Sequence, residues 1–296
     1  MKSCPLCRGN EAKMRKREGR PSGLLQCRHC RSVYWETPWE AHQAKVHYDG
    51  YYPTELPGYD PLTEKRFHAI LNQMEQWRSP GHLLDVGCGA GHFLLVAEAR
   101  GWQPVGLEVS RSALEIIHRV KNEQRSKFSI LESPLTEAGL PPESFDAVTL
   151  FEVVEHLDDP TATLEEVHRI LVGGGVLYLT TPNYNSLSRL LLNHRWRVIG
   201  EEHRCLINPQ ALRGCLRALG FFPIQVTTKN IDVPEILSKW LPGKQGIHPT
   251  AKDSSSQRLR RSIERNRGLQ ILKGWINDLL RWSSLGDTIE AFAVKR

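Results

Sequence analysis

No apolar run in the 296-residue chain approaches the length needed to cross a bilayer, which takes about 20 consecutive apolar residues. The opening residues Met1-Lys2-Ser3-Cys4-Pro5 contain no apolar stretch of the kind a secretory signal requires. Internal repeats and long low-complexity tracts are also missing, which argues against solenoids and propellers. Charge of one sign is scarce over most of the chain. The first 31 residues hold nine Lys or Arg against two Glu, while the whole chain carries a net charge of only +6. A cytoplasmic protein is the expectation from these absences, and in that compartment the seven cysteines are not read as disulfides. With 40% hydrophobic residues, the chain can bury one substantial core plus a small accessory unit.

Four of the cysteines stand in a pattern. Cys4-x-x-Cys7 and Cys27-x-x-Cys30 are two knuckles separated by a hairpin-sized interval, a spacing that suits a tetrahedral Cys4 zinc site. The competing reading, a pair of redox dithiols, lacks the βαβ pattern that usually follows such a motif. Residues 1–35 are therefore expected to form a zinc ribbon, with zinc as a structural ion. Its basic residues admit two readings: a grip on nucleic acid, or compensation of the thiolate charge together with a solvated hairpin tip at Lys13–Arg20. No stacking aromatics are interleaved with them, since Tyr34 and Trp35 follow the second knuckle. Residues 36–60 are rich in Tyr and Pro and should pack as an aromatic connector on the main domain.

The strongest signal for chemistry is Leu83-Leu84-Asp85-Val86-Gly87-Cys88-Gly89-Ala90-Gly91, followed by Phe93-Leu94-Leu95-Val96-Ala97. It reads as a buried parallel strand, a glycine turn and a helix start. The next strand, Pro104–Val109, carries Glu108 near its end, where a carboxylate can accept both hydroxyls of a ribose. Further strands are expected near 128–132, 146–151, 175–181, 224–228 and 288–294. Helices are expected near 63–77, 91–100, 111–121 and 161–171, and another opening at Asn208-Pro209 and closing at Gly220.

This order of elements resembles the class I S-adenosylmethionine-dependent methyltransferases over roughly residues 60–230 and the last ten residues. The resemblance implies an α/β, Rossmann-like sheet with an antiparallel last strand, spanning 61–296, preceded by the small Cys4 ribbon. Residues 230–286 then form an insertion near the acceptor mouth, with a helix over Leu269 to Trp282. It also implies S-adenosylmethionine as the cofactor. Asp85 would orient its methionine end, Glu108 would hold the ribose, and Gly87, Cys88, Gly89, Gly91 and Phe151 would complete the cradle. Leu131-Glu132-Ser133-Pro134 departs from the common pattern, because no Asp stands there to meet the adenine amino group.

Catalytic groups are expected where the strands end. Phe151-Glu152-Val153-Val154-Glu155-His156 would, if helical, put Glu152, Glu155 and His156 on one face. His156 or the downstream His203 would serve as general base for a hydroxyl acceptor, with Glu155 beside it. The E-x-x-E-H pattern plus a distal His also resembles magnesium-dependent small-RNA 2′-O-methyltransferases and some quinone O-methyltransferases, which implies a possible magnesium site. The paired knuckles, Ser32-Val33-Tyr34-Trp35 and the glycine turn together resemble bacterial zinc-ribbon methyltransferases of polysaccharide and secondary-metabolite pathways. A small-molecule or carbohydrate acceptor is the first expectation. An RNA acceptor gripped by the basic ribbon is the second, and a non-catalytic cofactor-binding scaffold the third.

Overall fold

The computed structural model describes residues 2–17, 20–38, 61–240 and 267–296. The aromatic connector is therefore outside the described residues from 39 to 60, as is the middle of the insertion, 241–266. None of the described helices is long and apolar enough to cross a membrane.

The described residues form two sheets. The larger has seven strands: β4 (His82–Val86), β5 (Gln103–Leu107), β6 (Ser129–Leu131), β7 (Phe145–Phe151), β8 (Leu171–Pro182), β10 (Phe221–Lys229) and β11 (Thr288–Lys295). Their spatial order is β10-β11-β8-β7-β4-β5-β6. Strand β11 pairs antiparallel with both β8 and β10, whereas β4 to β8 pair in parallel. This is the class I methyltransferase arrangement expected from the resemblance, antiparallel last strand included.

Alternation along the strands splits the core into two faces. Ala147, Val176 and Tyr178 pack with helices α1 (Pro61–Glu75) and α2 (His92–Ala99). Val148, Leu177 and Leu179 pack on the other face with α4 (Pro160–Ile170) and α6 (Pro209–Ala218). Helix starts follow the sequence signals. The Ser110 hydroxyl accepts from Ala113 N to cap α3 (Arg111–Gln124), Asp159 accepts from Ala162 N at α4, and Asn208 accepts from Ala211 N at 2.9 Å at α6. Strand β8 begins four residues earlier than expected, directly after α4. Gly174, at φ 75, lies in a bulge there, where the register with β7 jumps from Phe145↔Leu171 to Ala147↔Val176. Three more helices follow: α5 (Leu187–Leu192), α7 (Val233–Trp240) and α8 (Arg267–Ser283).

The smaller sheet joins the cysteine-bearing segment to the main domain. Strands β1 (Ala12–Arg17), β2 (Arg20–Cys27) and β3 (Val33–Trp35) form an antiparallel unit, and its fourth strand is β9 (Cys205–Leu206), from between α5 and α6. Pairing runs Val33↔Leu206 and Tyr34↔Cys205. Cys4, Leu6, Leu25, Cys27 and Tyr34 belong to one apolar cluster with Ile207, Leu212 and Leu216. The N-terminal unit thus shares its core with the domain behind it. Lys13–Arg17 and Arg20 lie on strands β1 and β2, so the segment expected to be a hairpin tip is mostly hairpin stem.

Candidate active site

The glycine turn leaves β4 and enters α2. Gly87, Gly89 and Gly91 have φ of 69°, 54° and 76°, a region that disfavours other residues. Two of these glycines answer to the protein itself. A Cβ on Gly87 would lie 2.8 Å from Val153 Cγ2, and one on Gly91 would lie 2.6 Å from Ile117 Cγ1. The first contact matters for function, because it seats the turn directly against the loop that carries Glu155 and His156. Cys88 is buried, and burial pushes its thiol far above the ordinary range, so it is packing rather than a nucleophile. Gly106 on β5 makes room for its sulfur.

Asp85 and Glu108 end neighbouring strands. Asp85 is 1% exposed, and its Oδ1 accepts from the Thr149 hydroxyl at 2.7 Å. Burial pushes its pKa up to about 7, with Glu108 adding to the rise. Glu108 accepts three backbone N–H groups, from Gly89 on Oε2 and from Val109 and Ser110 on Oε1, each at 2.8 Å. A carboxylate offers about four lone-pair sites. Both ribose hydroxyls can therefore be accepted only if some of these backbone bonds yield, and Glu108 is as much the clasp of the glycine turn as a ligand. Phe151 is half-buried at the end of β7, edge-on to Phe93 at 4.9 Å and Phe67 at 5.6 Å.

Two buried carboxylates and a turn of positive-φ glycines at the carboxyl ends of adjacent parallel strands form a cradle suited to a ribosyl group. A consequence follows for the cofactor-free protein. The folded pKa of Asp85 lies above its unfolded value of about 3.9, so its contribution is full at low pH and is lost as pH rises towards 7. Asp85→Asn should be more stable than the parent at pH 8 by roughly 2–4 kcal/mol, and the difference should close by about pH 4. Urea unfolding at both pH values checks this; a variant less stable than the parent at pH 8 would reject it.

The segment after β7 corrects one expectation. Only Val154–His156 form a short 3-10 turn, preceded by Glu152 at φ 54. The E-x-x-E-H residues therefore do not share a helical face, and Glu152 is exposed while Glu155 is 1% exposed. To Glu155 and His156 the fold brings up His203. The donor atoms of Glu155, His156 and His203 all lie within 4.8 Å of one another, and the two rings are 4.7 Å apart between centroids. His156 Nδ1 bonds to the Glu202 carbonyl at 3.0 Å, and His203 Nδ1 to the Val198 carbonyl at 2.7 Å. A carbonyl only accepts, so each Nδ1 carries its hydrogen, and the lone pair of a neutral ring falls on Nε2. Glu155 Oε2 accepts from the Thr181 hydroxyl at 3.0 Å, while its buried Oε1 has no hydrogen-bond partner. Burial, with Glu152 nearby, pushes the Glu155 carboxyl well above its usual range.

The sequence reading named both histidines and Glu155 but missed what aims them: Thr181 and the carbonyls of Val198 and Glu202. Backbone acceptors leave no trace in a sequence. The same holds for Arg204, 3% exposed, whose guanidinium reaches Asp158 Oδ1 at 3.1 Å and the carbonyls of Glu201 and Thr37.

The second cluster is the expected one. Sγ atoms of Cys4 and Cys30 lie 3.6 Å apart, as do those of Cys7 and Cys27. Four sulfurs about 2.3 Å from a common tetrahedral ion would stand about 3.8 Å apart, whereas a disulfide bond is about 2.05 Å. The arrangement has the size of a zinc site. Two cations of the N-terminal unit are directed at the main domain: Arg8 meets Asp159 at 2.7 Å and Lys2 meets Asp158 at 3.5 Å.

Comparison with known proteins follows the same lines. A family model described as a methyltransferase domain matches residues 59–226, more than half of the chain. The ubiquinone biosynthesis O-methyltransferase of Vibrio cholerae is 29% identical over 129 residues, which cover 43% of this chain and 51% of that one. Its counterpart in Leptothrix cholodnii is 31% identical over 158 residues, covering 49% of this chain and 64% of that one. The chain thus spans about half of the first relative's length. Among solved structures, a SAM-dependent methyltransferase from Archaeoglobus fulgidus aligns with a TM-score of 0.52 at 19% identity, over 79% of this chain and 93% of that one. Haemonchus contortus phosphoethanolamine N-methyltransferase 2, in complex with S-adenosyl-L-methionine, aligns with a TM-score of 0.53 at 20% identity, over 86% and 56% of the two chains. At these identities the likeness is one of fold.

Proposed function

Because the chain belongs to the methyltransferase-domain family, we propose that it is an S-adenosylmethionine-dependent enzyme that methylates a hydroxyl of a small-molecule or carbohydrate acceptor. The observation that carries this reading is the His156–His203 pair, two stacked rings each fixed through Nδ1 to a backbone carbonyl, on a loop whose Val153 packs at the glycine turn. A methyl sulfonium needs little activation. What remains for the protein is to bind, to orient the acceptor and to take its proton. Gly87, Cys88, Gly89 and Gly91 shape the cofactor cradle, with Phe151 at its edge, Asp85 beneath it and Glu108 clasping it. S-adenosylmethionine supplies the electrophilic methyl group when bound. His203 is the base, and His156, stacked against it, is the second candidate. Glu155 lies beside the pair, buried and bonded to the Thr181 hydroxyl.

The test uses S-adenosylmethionine with a panel of small catechols, vicinal diols and nucleotide sugars, reading S-adenosylhomocysteine release and product mass. Methylated oxygen in at least one member supports the reading. Failure to bind S-adenosylmethionine would overturn it and leave a scaffold. RNA methylation, with binding that falls steeply with salt, would move the acceptor to the second expectation. Calorimetry gives a finer check on the cradle. Glu108→Ala should cost roughly 1.5–3 kcal/mol, or about 10- to 150-fold in S-adenosylmethionine affinity. Wild-type affinity would remove Glu108 from the site.

A second feature of the same site is a donor set for a divalent cation. The buried Glu155 Oε1 has no hydrogen-bond partner and its carboxyl group clusters with the two imidazoles, a set that such an ion would satisfy. Two imidazoles and one carboxylate suit zinc or manganese better than magnesium, which prefers oxygen ligands. A cation there would polarise an acceptor oxygen. Loss of turnover in chelator, restored by one of these ions, is the outcome that would assign it. For the other cluster, Cys4, Cys7, Cys27 and Cys30 would hold a structural zinc ion.

A further inference from the structure

We infer that the four-cysteine site is a strut that sets the spacing between the two histidine-bearing segments, so that metal at the cysteines positions His156 against His203. The catalytic meaning of that spacing rests on the function proposed above; the mechanical coupling does not.

Each knuckle is gripped by one of the two segments. Thr161, in the first turn of α4, gives its hydroxyl to the carbonyls of Pro5 at 2.7 Å and Leu6 at 3.1 Å, the two residues inside the first knuckle. Asn208, the cap of α6, gives its Nδ2 to the carbonyl of Cys30 in the second knuckle at 2.9 Å. Thr161 lies five residues beyond His156, and Asn208 lies five residues beyond His203. Both side chains are buried, so water does not compete for these bonds.

Further ties bracket His203. Trp35 N donates to the carbonyl of Arg204 and Trp35 Nε1 to that of Gly200, each at 3.2 Å, while β3 pairs with β9 just downstream. Asp158, two residues beyond His156, meets Lys2 from the ribbon and Arg204 beside His203. The path from one imidazole to the other through the cysteine cluster is therefore a closed loop of short links. An ion that draws the two knuckles together draws the two segments together. Without it, the knuckles are held to each other by the β1–β2 pairing and by single hydrogen bonds, such as Arg28 N to the Glu11 carbonyl and the Tyr34 hydroxyl to the Lys2 carbonyl, and the link at the sulfurs is gone.

A ribbon that only stabilised the domain would make no distinction between these links and any other buried hydrogen bond. The discriminating variants are Thr161→Val and Asn208→Asp. The first keeps shape and loses the donor. The second keeps an oxygen to cap α6 and loses the Nδ2 donor. Both leave the cysteines and the histidines intact. The experiment uses the full chain with ¹⁵N-labelled histidine rings. It records the nuclear Overhauser contact between the His156 and His203 rings and their ring-nitrogen signals. Zinc is counted by elemental analysis, released with a mercurial reagent, and returned together with a thiol.

The expected result is an inter-ring contact in the zinc-replete parent that disappears on zinc release and reappears when zinc returns. The double variant, still holding one zinc per chain, should lose that contact while S-adenosylmethionine affinity stays within about threefold of the parent's, under 1 kcal/mol. Retention of the contact in a zinc-loaded double variant would overturn the inference, as would its survival after complete zinc release. Normal turnover in His203→Ala would sink the proposed base and leave this result standing.

Discussion

Cys27→Ser protein is expected to purify with well under one zinc per chain and to unfold at a markedly lower temperature than the parent. Cys27 is buried, and its sulfur lies 3.6 Å from that of Cys7. Replacing a thiolate by a hydroxyl leaves three good ligands for an ion that prefers four. Structural zinc contributes about 10–16 kcal/mol of apparent binding free energy in small zinc-dependent folds, which becomes folding free energy when the site forms only in the native state. Here the cysteine-bearing unit shares its apolar core with α6 and is hydrogen-bonded to α4, so the loss should not stay local. A deficit of a few kcal/mol corresponds to roughly 5–15 °C in a domain of this size. Elemental analysis and calorimetry read both quantities. Metal-replete parent protein without zinc would refute the site, and so would a fully occupied, equally stable Cys27→Ser variant.

His203→Ala should leave S-adenosylmethionine affinity unchanged and lower turnover at least about 100-fold, within the 10²–10⁴-fold that a general base contributes. His203 is tied to the Val198 carbonyl and touches His156, but none of its contacts reaches the glycine turn. Binding and turnover should therefore separate. The acceptor that responds in the small-hydroxyl panel is the substrate for this measurement. If the variant turns over normally, the role passes to His156. If chelator also abolishes the parent's turnover and added metal restores it, both histidines and Glu155 act as one ion site instead.

The sheet was legible because buried parallel strands are apolar runs bounded by turn residues. Leu83–Val86, Phe145–Leu150 and Ile289–Val294 could scarcely be anything else. Asp85 and Glu108 were found by position alone, as acids at strand ends. The histidine site was only half legible. His156 and Glu155 stand together in sequence, whereas His203 arrives through β9, a two-residue strand with no periodicity to detect. Helical spacing also put Glu152 on the face of Glu155 and His156, but φ 54 at that residue breaks the helix before the 3-10 turn begins and leaves Glu152 exposed. Asn208 was recognised as a helix cap from the Asn-Pro pair. Its second bond, to Cys30, joins residues 178 positions apart, and no local signal marks it.

Strand β11 has a consequence for how the protein is made. It fills the slot between β8 and β10, pairing along nearly its whole length with both. Until residues 288–295 have emerged from the ribosome, those two strands face each other across a gap one strand wide. Each then offers an unsatisfied backbone edge that another chain can pair with. A nascent or truncated protein ending before Thr288 would carry a finished cofactor turn and finished ribbon strands on a sheet that is still open. Such a species is a substrate for chaperones and a seed for aggregation. The methyltransferase sheet completes itself last, one strand in from its edge.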